Sequence, residues 1–267
     1  MKSYLSYFKL KFITGLQYRS AALAGIFTQL FFGFIYISVY IACYESNSGN
    51  LPMPLDELVS FLWLNQAFFF LIYLWYKDKD ILNLIKTGNL SYELCRPQDL
   101  YFMWFSKILG EKLSSSLLRF FPVILIAVLL PAPFNLDLSI TLPRLLIFSV
   151  SFFLAIILTV VLILLYHVIC LITLDEKGIV NIFMVLSDIL SGLVLPIPFF
   201  PTLLQKISNF LPYRYVSDFP FRLYVGNISL TSGIKGIIIQ IIWIIILVVI
   251  GRLITKKALK KAVIQGG

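Results

Sequence analysis

The chain is short of charge, of cysteine and of histidine. Only 13% of its 267 residues are Asp, Glu, Lys or Arg, against about 25% in ordinary soluble domains. So few charged groups cannot clothe a chain that is 60% hydrophobic with a mean hydropathy of +0.93, which excludes a soluble domain or a pair of them. The three cysteines, Cys43, Cys95 and Cys170, lie far apart and match neither a metal spacing nor a disulfide framework. The one histidine, His167, has no second imidazole or nearby carboxylate in sequence. It makes a poor metal ligand and a good helix-packing hydrogen-bond partner. There is no GxxxxGK[ST] loop for a nucleoside triphosphate, and no HExxH, GxSxG or CxxC. No catalytic residues, metal or cofactor are therefore expected in this chain. The apolar segments run on to the C-terminus, which argues against a secreted enzyme behind a signal peptide. Acidic residues are scarce too, 13 against 22 basic, for a net charge of +9. In a soluble protein that excess points to nucleic acid. In a chain this apolar it reads as topology, because Lys and Arg collect on cytoplasmic loops.

What the sequence does contain is long uncharged runs, with 24 Phe and 14 Tyr that suit a lipid solvent. A bilayer core of ~30 Å takes about 20 helical residues to cross. Ser20 to Tyr44 supplies 25, Leu58 to Tyr76 supplies 19, and Phe120 to Asn135 sits in a 17-residue stretch ending before Asp137. Leu145 to Leu174 supplies 30, Gly178 to Gln205 is broken only by Asp188, and Gly236 to Gly251 supplies 16, extended by Ile234 past Lys235. These make six spans, each helical because backbone groups in lipid must pair within their own segment. With the N-terminus in the cytoplasm, 17 of the 22 basic residues fall inside. Arg144, Lys206, Arg214, Arg222 and Lys235 remain outside. Both termini are expected to be cytoplasmic in a multi-pass membrane protein.

The expected fold is all-α. Residues 1–19 place Leu5, Phe8, Phe12 and Leu16 on one side and Lys2, Ser6 and Lys9 on another, an amphipathic helix at the membrane surface. Residues 20–251 form the six-span domain and 252–267 a basic tail. The cytoplasmic loop 77–112 opens with Lys77-Asp78-Lys79-Asp80. Ile81, Leu82, Leu84 and Ile85 follow at helical spacing, and Gly88-Asn89 ends that helix. An ordered loop of this length is usually functional. The outer segment 196–232 interleaves Pro196, Pro198, Pro201, Pro212 and Pro220 with aromatics, which reads as short helices dipping into the outer leaflet.

Polar residues inside the spans are candidates for a translocation path. Asp188, near the middle of the fifth span, either lines a path or is a structural carboxyl bonded to a neighbouring span. Ser187, Ser191 and Gly192 beside it allow close helix approach. In the second span, Asn65 and Gln66 either line the same path or join helices.

The stretch Lys86-Thr87-Gly88-Asn89-Leu90-Ser91-Tyr92-Glu93-Leu94-Cys95-Arg96-Pro97, with Asp99-Leu100-Tyr101, resembles a signature of the permease subunits of type-2 ABC exporters. Ser191-Gly192 with Pro196 and Pro201 resembles their fifth-span exit. Leu211-Pro212-Tyr213 and Phe219-Pro220 through Gly226 resemble their outer re-entrant region. Cys95 departs from the pattern, which usually has an aliphatic residue there. The resemblance implies a plasma-membrane, bacterial-type transmembrane subunit that pairs with a second permease, identical or related. Separate ATP-binding subunits would carry ATP and Mg and dock on a coupling helix between spans two and three. Ile81, Leu82, Leu84 and Ile85 would form that contact, with Glu93 and Arg96 holding the loop. It further implies that spans two and five line the path and that the substrate is hydrophobic or amphipathic: a drug, lipid, glycolipid or peptide. A different reading is an ion- or proton-coupled secondary transporter using Asp188, which inverted repeats would favour. A membrane-embedded lipid enzyme would need clustered polar residues at one leaflet, and these are scattered.

Overall fold

Long uncharged runs leave the backbone little choice but helix. The computed structural model, which describes residues 2–46, 51–95, 97–173 and 175–261, shows no strand among them. The chain opens with α1 (Lys2–Gly15), none of whose residues is buried, and α2 (Arg19–Ser46). Then come α3 (Leu55–Ala67), the one-turn α4 (Phe69–Ile72), α5 (Lys79–Thr87) and the one-turn α6 (Ser91–Leu94). The long α7 (Leu100–Leu129) and α8 (Leu142–Thr173) follow, then α9 (Glu176–Leu190). Short helices, α10 (Thr202–Phe210), α11 (Asp218–Val225) and two 3-10 turns, lead to α12 (Leu230–Lys261). Four helices, α2, α7, α8 and α12, are long and apolar enough to cross a membrane.

The core is built around α3. Every residue from Leu58 to Ala67 is buried, and α2, α7 and α11 surround the helix. The α8–α12 pair is the most extensive helix packing. α1 lies along α7, where Gly110 permits the approach; a Cβ there would come within 2.8 Å of the Phe8 carbonyl oxygen. Lys11 and Lys107 meet at α5, and Arg252 meets Asp99 at the start of α7. Arg214 and Arg222 meet at Asp218.

Three expected spans differ in the structure. The second, Leu58 to Tyr76, is not one helix. It breaks at Phe68 between α3 and α4, and residues 73–78 are extended. Side chains stabilise the unwinding by donating to the freed carbonyls. Lys112 Nζ bonds the carbonyls of Phe70 (3.1 Å) and Tyr73. Tyr166 Oη bonds those of Leu74 (3.3 Å) and Tyr76. Such irregular backbone at membrane depth survives only where protein satisfies it. The fifth expected span, Gly178 to Gln205, forms a helix only to Leu190, because Gly192 turns the chain with φ +76°. The third begins twenty residues earlier than expected, at Leu100. The charges that marked Lys107 to Arg119 as loop are paired inside the bundle instead. The expected tail likewise continues α12 as far as Lys261.

Candidate functional site

α5 packs on α8 and meets side chains of α1 and α7, and the sequence sets its bounds locally. Asp78 caps it, its Oδ1 accepting from the amides of Asp80 and Ile81, both at 3.0 Å. Gly88, with φ +70°, ends it, as glycine does at a helix C-terminus without a Cβ clash. Its amphipathic face turns inward. Ile81, Leu82 and Ile85 are buried at 1%, 5% and 8% exposure, against α8 and the rest of the core.

Beneath α5 lies a charged seat. Lys107 of α7 is 3% exposed, and its Nζ donates to Asp78 Oδ1 at 2.6 Å and Asp80 Oδ2 at 2.8 Å. Lys11 of α1 reaches Asp80 (3.6 Å) and Glu111 (3.2 Å). Glu111 also accepts from the Tyr76 hydroxyl. The Asp78 amide donates to His167 Nε2 at 3.2 Å, and His167 Nδ1 lies 2.8 Å from the Ile163 carbonyl. That pattern requires a neutral imidazole protonated on Nδ1. The hydrogen bond and charge of Lys107 hold the Asp80 carboxyl below its ordinary range. Four elements, α1, α5, α7 and α8, therefore meet on one polar lock. Displacing α5 must disturb all of them.

A second lock joins the opposite end. Asp218 is fully buried, and its Oδ1 accepts from the Ile197 amide at 3.1 Å. Its Oδ2 pairs with Arg214 and Arg222, both at 3.3 Å. The Asp218 amide donates to the Ser191 carbonyl at 3.0 Å, tying α11 to the end of α9. Ser217 donates to Asn65 Oδ1 at 2.6 Å, tying α11 to α3. Gln240 of α12 bonds Ser151 of α8 and the Tyr215 carbonyl, each at 3.0 Å.

The residues singled out in the sequence divide accordingly. Ile81, Leu82 and Ile85 cannot be docking knobs for another subunit, because the chain's own core covers them. A helix with one apolar stripe buries it on the nearest apolar surface, and here that is its own bundle. Of that group only Leu84 is half-exposed, flanked by exposed Asn83, Lys86 and Thr87. Asn65 joins helices, and Gln66, Ser187 and Ser191 are buried inside the chain. Asp188 differs: it lies half-buried on the outer side of α9 and accepts from Trp75 Nε1 at 2.9 Å. Exposed Ile182, Val185 and Ile189 line the same side. Glu93 is half-buried in α6, and Arg96 lies outside the described residues, so their pairing is not described. His167 does join elements by hydrogen bonds, as its lone occurrence suggested, and among the described residues no His, Cys, Asp and Glu cluster could hold a metal.

Sequence reasoning missed Lys11, Lys107, Glu111 and Asp218. Two signals were present. Lys107 and Glu111 stand four apart on one helix face, and Asp218 has an arginine four residues to either side.

Asp188→Asn is expected to leave yield and thermal stability near wild type, because the amide oxygen can still accept from Trp75 and the side chain is only half-buried. Melting of the purified variant checks this. A large loss of stability would make Asp188 a structural residue.

A family model described as an ABC-2 family transporter protein matches residues 57–266. The match takes in α5, Lys107, Glu111 and His167 of its seat, and the lock around Asp218, but not Lys11 of α1. No curated protein and no solved structure matches the chain.

Proposed function

We infer the function of this chain from its family: it belongs to the ABC-2 family of transporter proteins, and is thus a membrane subunit of an ABC transporter rather than the ATPase. We propose that it is the transmembrane subunit of an ATP-driven exporter in the plasma membrane, with both termini cytoplasmic. A second permease subunit and two ATP-binding subunits, which carry ATP and Mg, complete it. In this reading α3, α4 and the extended residues after them serve as the second of six spans. α9 with the bends beyond Ser191 serves as the fifth, and α1 rests on the inner membrane surface. The substrate is hydrophobic or amphipathic, and its path runs along the exposed side of α9 that carries Asp188.

The observation that carries the reading is the seating of α5. A subunit with no nucleotide-binding loop must receive mechanical work by contact. α5 is short, capped at both ends, and tied to α1 through Lys11 and Asp80, to α7 through Lys107 and to α8 through His167. A push on its outward side is therefore delivered to three helices at once. That side offers Asn83, Leu84, Lys86 and Thr87.

Two substitutions one residue apart test it. Leu84→Asp is expected to leave the yield of the chain intact and to weaken co-purification of the ATP-binding subunit. Ile85→Asp, which buries a carboxylate in the core, is expected to lower the yield itself. Full co-purification and full transport with Leu84→Asp would place the contact elsewhere.

A further inference from the structure

Two cavities adjoin at the basic end of the bundle, and neither takes part in the seat of α5. The first, about 150 Å³, lies between the start of α7 and the end of α12, lined by Gln98, Asp99, Tyr101, Arg252 and Lys256 among others. Its lining is mixed, with Leu94, Leu100 and Leu259 beside the polar groups, and several of those polar groups are unpartnered among the described residues. Tyr101 is 1% exposed, yet its hydroxyl has no hydrogen-bond partner among the described residues, and neither do Arg252 Nε and Gln98 Oε1. Asp99 is already committed. It caps α7 at the Phe102 amide (3.3 Å) and pairs with Arg252 Nη2 at 3.0 Å. With Lys256 added, the cavity carries two cations against one carboxylate, beside the N-terminus of a 30-residue helix, which favours anions.

The second cavity, about 400 Å³, is an apolar groove between α1 and α7 lined by Tyr4, Leu5, Phe8, Phe102, Ser106 and Leu109. Phe102 divides the two. Its ring lies 5.2 Å from the Arg252 guanidinium on one side and 6.4 Å from the Tyr4 ring on the other. The Asp99 amide donates to Tyr4 Oη at 2.9 Å, fixing the junction. The groove opens beside Leu5 of α1, which is exposed, so it faces the same surroundings as that side of α1. Exposed Lys256, Lys257 and Lys260 continue the positive charge beyond it.

We propose that the two cavities form one binding site for an anionic phospholipid. The phosphate sits against Arg252 and Lys256, and an acyl chain lies in the groove of Leu5, Phe8 and Leu109. The lipid pins α1 and the end of α12 to the start of α7. Charge complementarity selects an anion, and the adjoining apolar groove selects a lipid over a free phosphate. The inference requires that the long helices cross a bilayer, and it does not depend on what the chain transports.

The test uses the full-length chain in detergent, with dioleoylphosphatidylglycerol, dioleoylphosphatidylcholine and inorganic phosphate as probes, read by native mass spectrometry and lipid titration. Phosphatidylglycerol is expected to be retained over phosphatidylcholine, and millimolar inorganic phosphate is expected not to displace it. Arg252→Gln with Lys256→Gln should weaken phosphatidylglycerol roughly 25-fold, about fivefold for each basic residue. Leu5→Gln should weaken it through the other cavity. Equal retention of both lipids, or affinity unmoved by the double substitution, overturns the site. Displacement by inorganic phosphate alone overturns the lipid assignment in favour of a soluble anion. Should the double variant not fold, Lys256→Gln alone alters only an exposed side chain, and unchanged phosphatidylglycerol affinity in that well-folded variant overturns the proposal equally.

Discussion

Lys107→Met is expected to destabilise the purified chain by about 3–5 kcal/mol, the usual consequence of leaving one member of a buried ion pair unpartnered. The geometry sets this size. Lys107 and Asp78 have side chains 3% and 2% exposed and meet at 2.6 Å, so water cannot replace the lost ammonium. Asp78 would be left as a buried carboxyl without its cation, at the N-terminus of α5 where its Oδ1 accepts from the Asp80 and Ile81 amides. Asp80 adds a pH dependence. Its carboxyl is held below its ordinary range, first by the Lys107 hydrogen bond, so its contribution is complete above the ordinary Asp pKa. That contribution is lost as pH falls through the lowered value. Thermal melts of wild type from neutral to acid pH should therefore fall at the acid end, and Lys107→Met should flatten that fall. Asp78→Leu in the Lys107→Met background removes the stranded charge and is expected to recover part of the loss, though not the ~1 kcal/mol of the cap. A single variant as stable as wild type would show that the seat of α5 is not held by this pair.

The second large effect is expected at the opposite end. Asp218→Leu strands two guanidinium groups, removes the acceptor of the Ile197 amide, and is expected to cost about 3 kcal/mol or more. Arg214 and Arg222 are only 16% and 15% exposed in their side chains, so solvent recovers part of their hydration and sets an upper bound near that of the Lys107 variant. Asp218→Asn keeps an acceptor for Ile197 and should lose less. Gly192→Ala should act on the same joint by a different route. Its φ of +76° is strained for any side chain, and an added Cβ would lie 2.8 Å from that of Asp218. Thermal melting of the three variants checks the ranking. If Asp218→Leu melted like wild type, the joint between α9 and α11 would be held without the Asp218 carboxylate, by its backbone hydrogen bond to Ser191 and by packing.

Much of this fold was legible in one dimension. Class follows from composition, because a chain this apolar has only lipid to face, and in lipid only helices satisfy their own backbone. Ser20 to Tyr44 and Leu145 to Leu174 became α2 and α8 within a few residues, since nothing in them competes with helix. Gly88 marked a real helix end, whereas Gly192, read as a site of close helix approach, turns the chain; Arg214, Asp218 and Arg222 carried a readable spacing.

Tertiary structure alone decided the rest. Charge predicts an exposed loop only while each charge is unpartnered. Lys107, Lys112 and Arg119 lie inside α7 because Asp78, the carbonyls of Phe70 and Tyr73, and the Phe70 ring and Ala21 carbonyl receive them. Lys112 and Tyr166 donate to the freed carbonyls of the segment after Phe68, which hydropathy alone reads as continuous helix. The apolar stripe of α5 was visible in the sequence, but which surface it meets was not. Periodicity states that Ile81, Leu82 and Ile85 share a face, and only the positions of α7 and α8 determine that this face belongs to the chain's own core. What remains for a partner is the side that the stripe leaves behind.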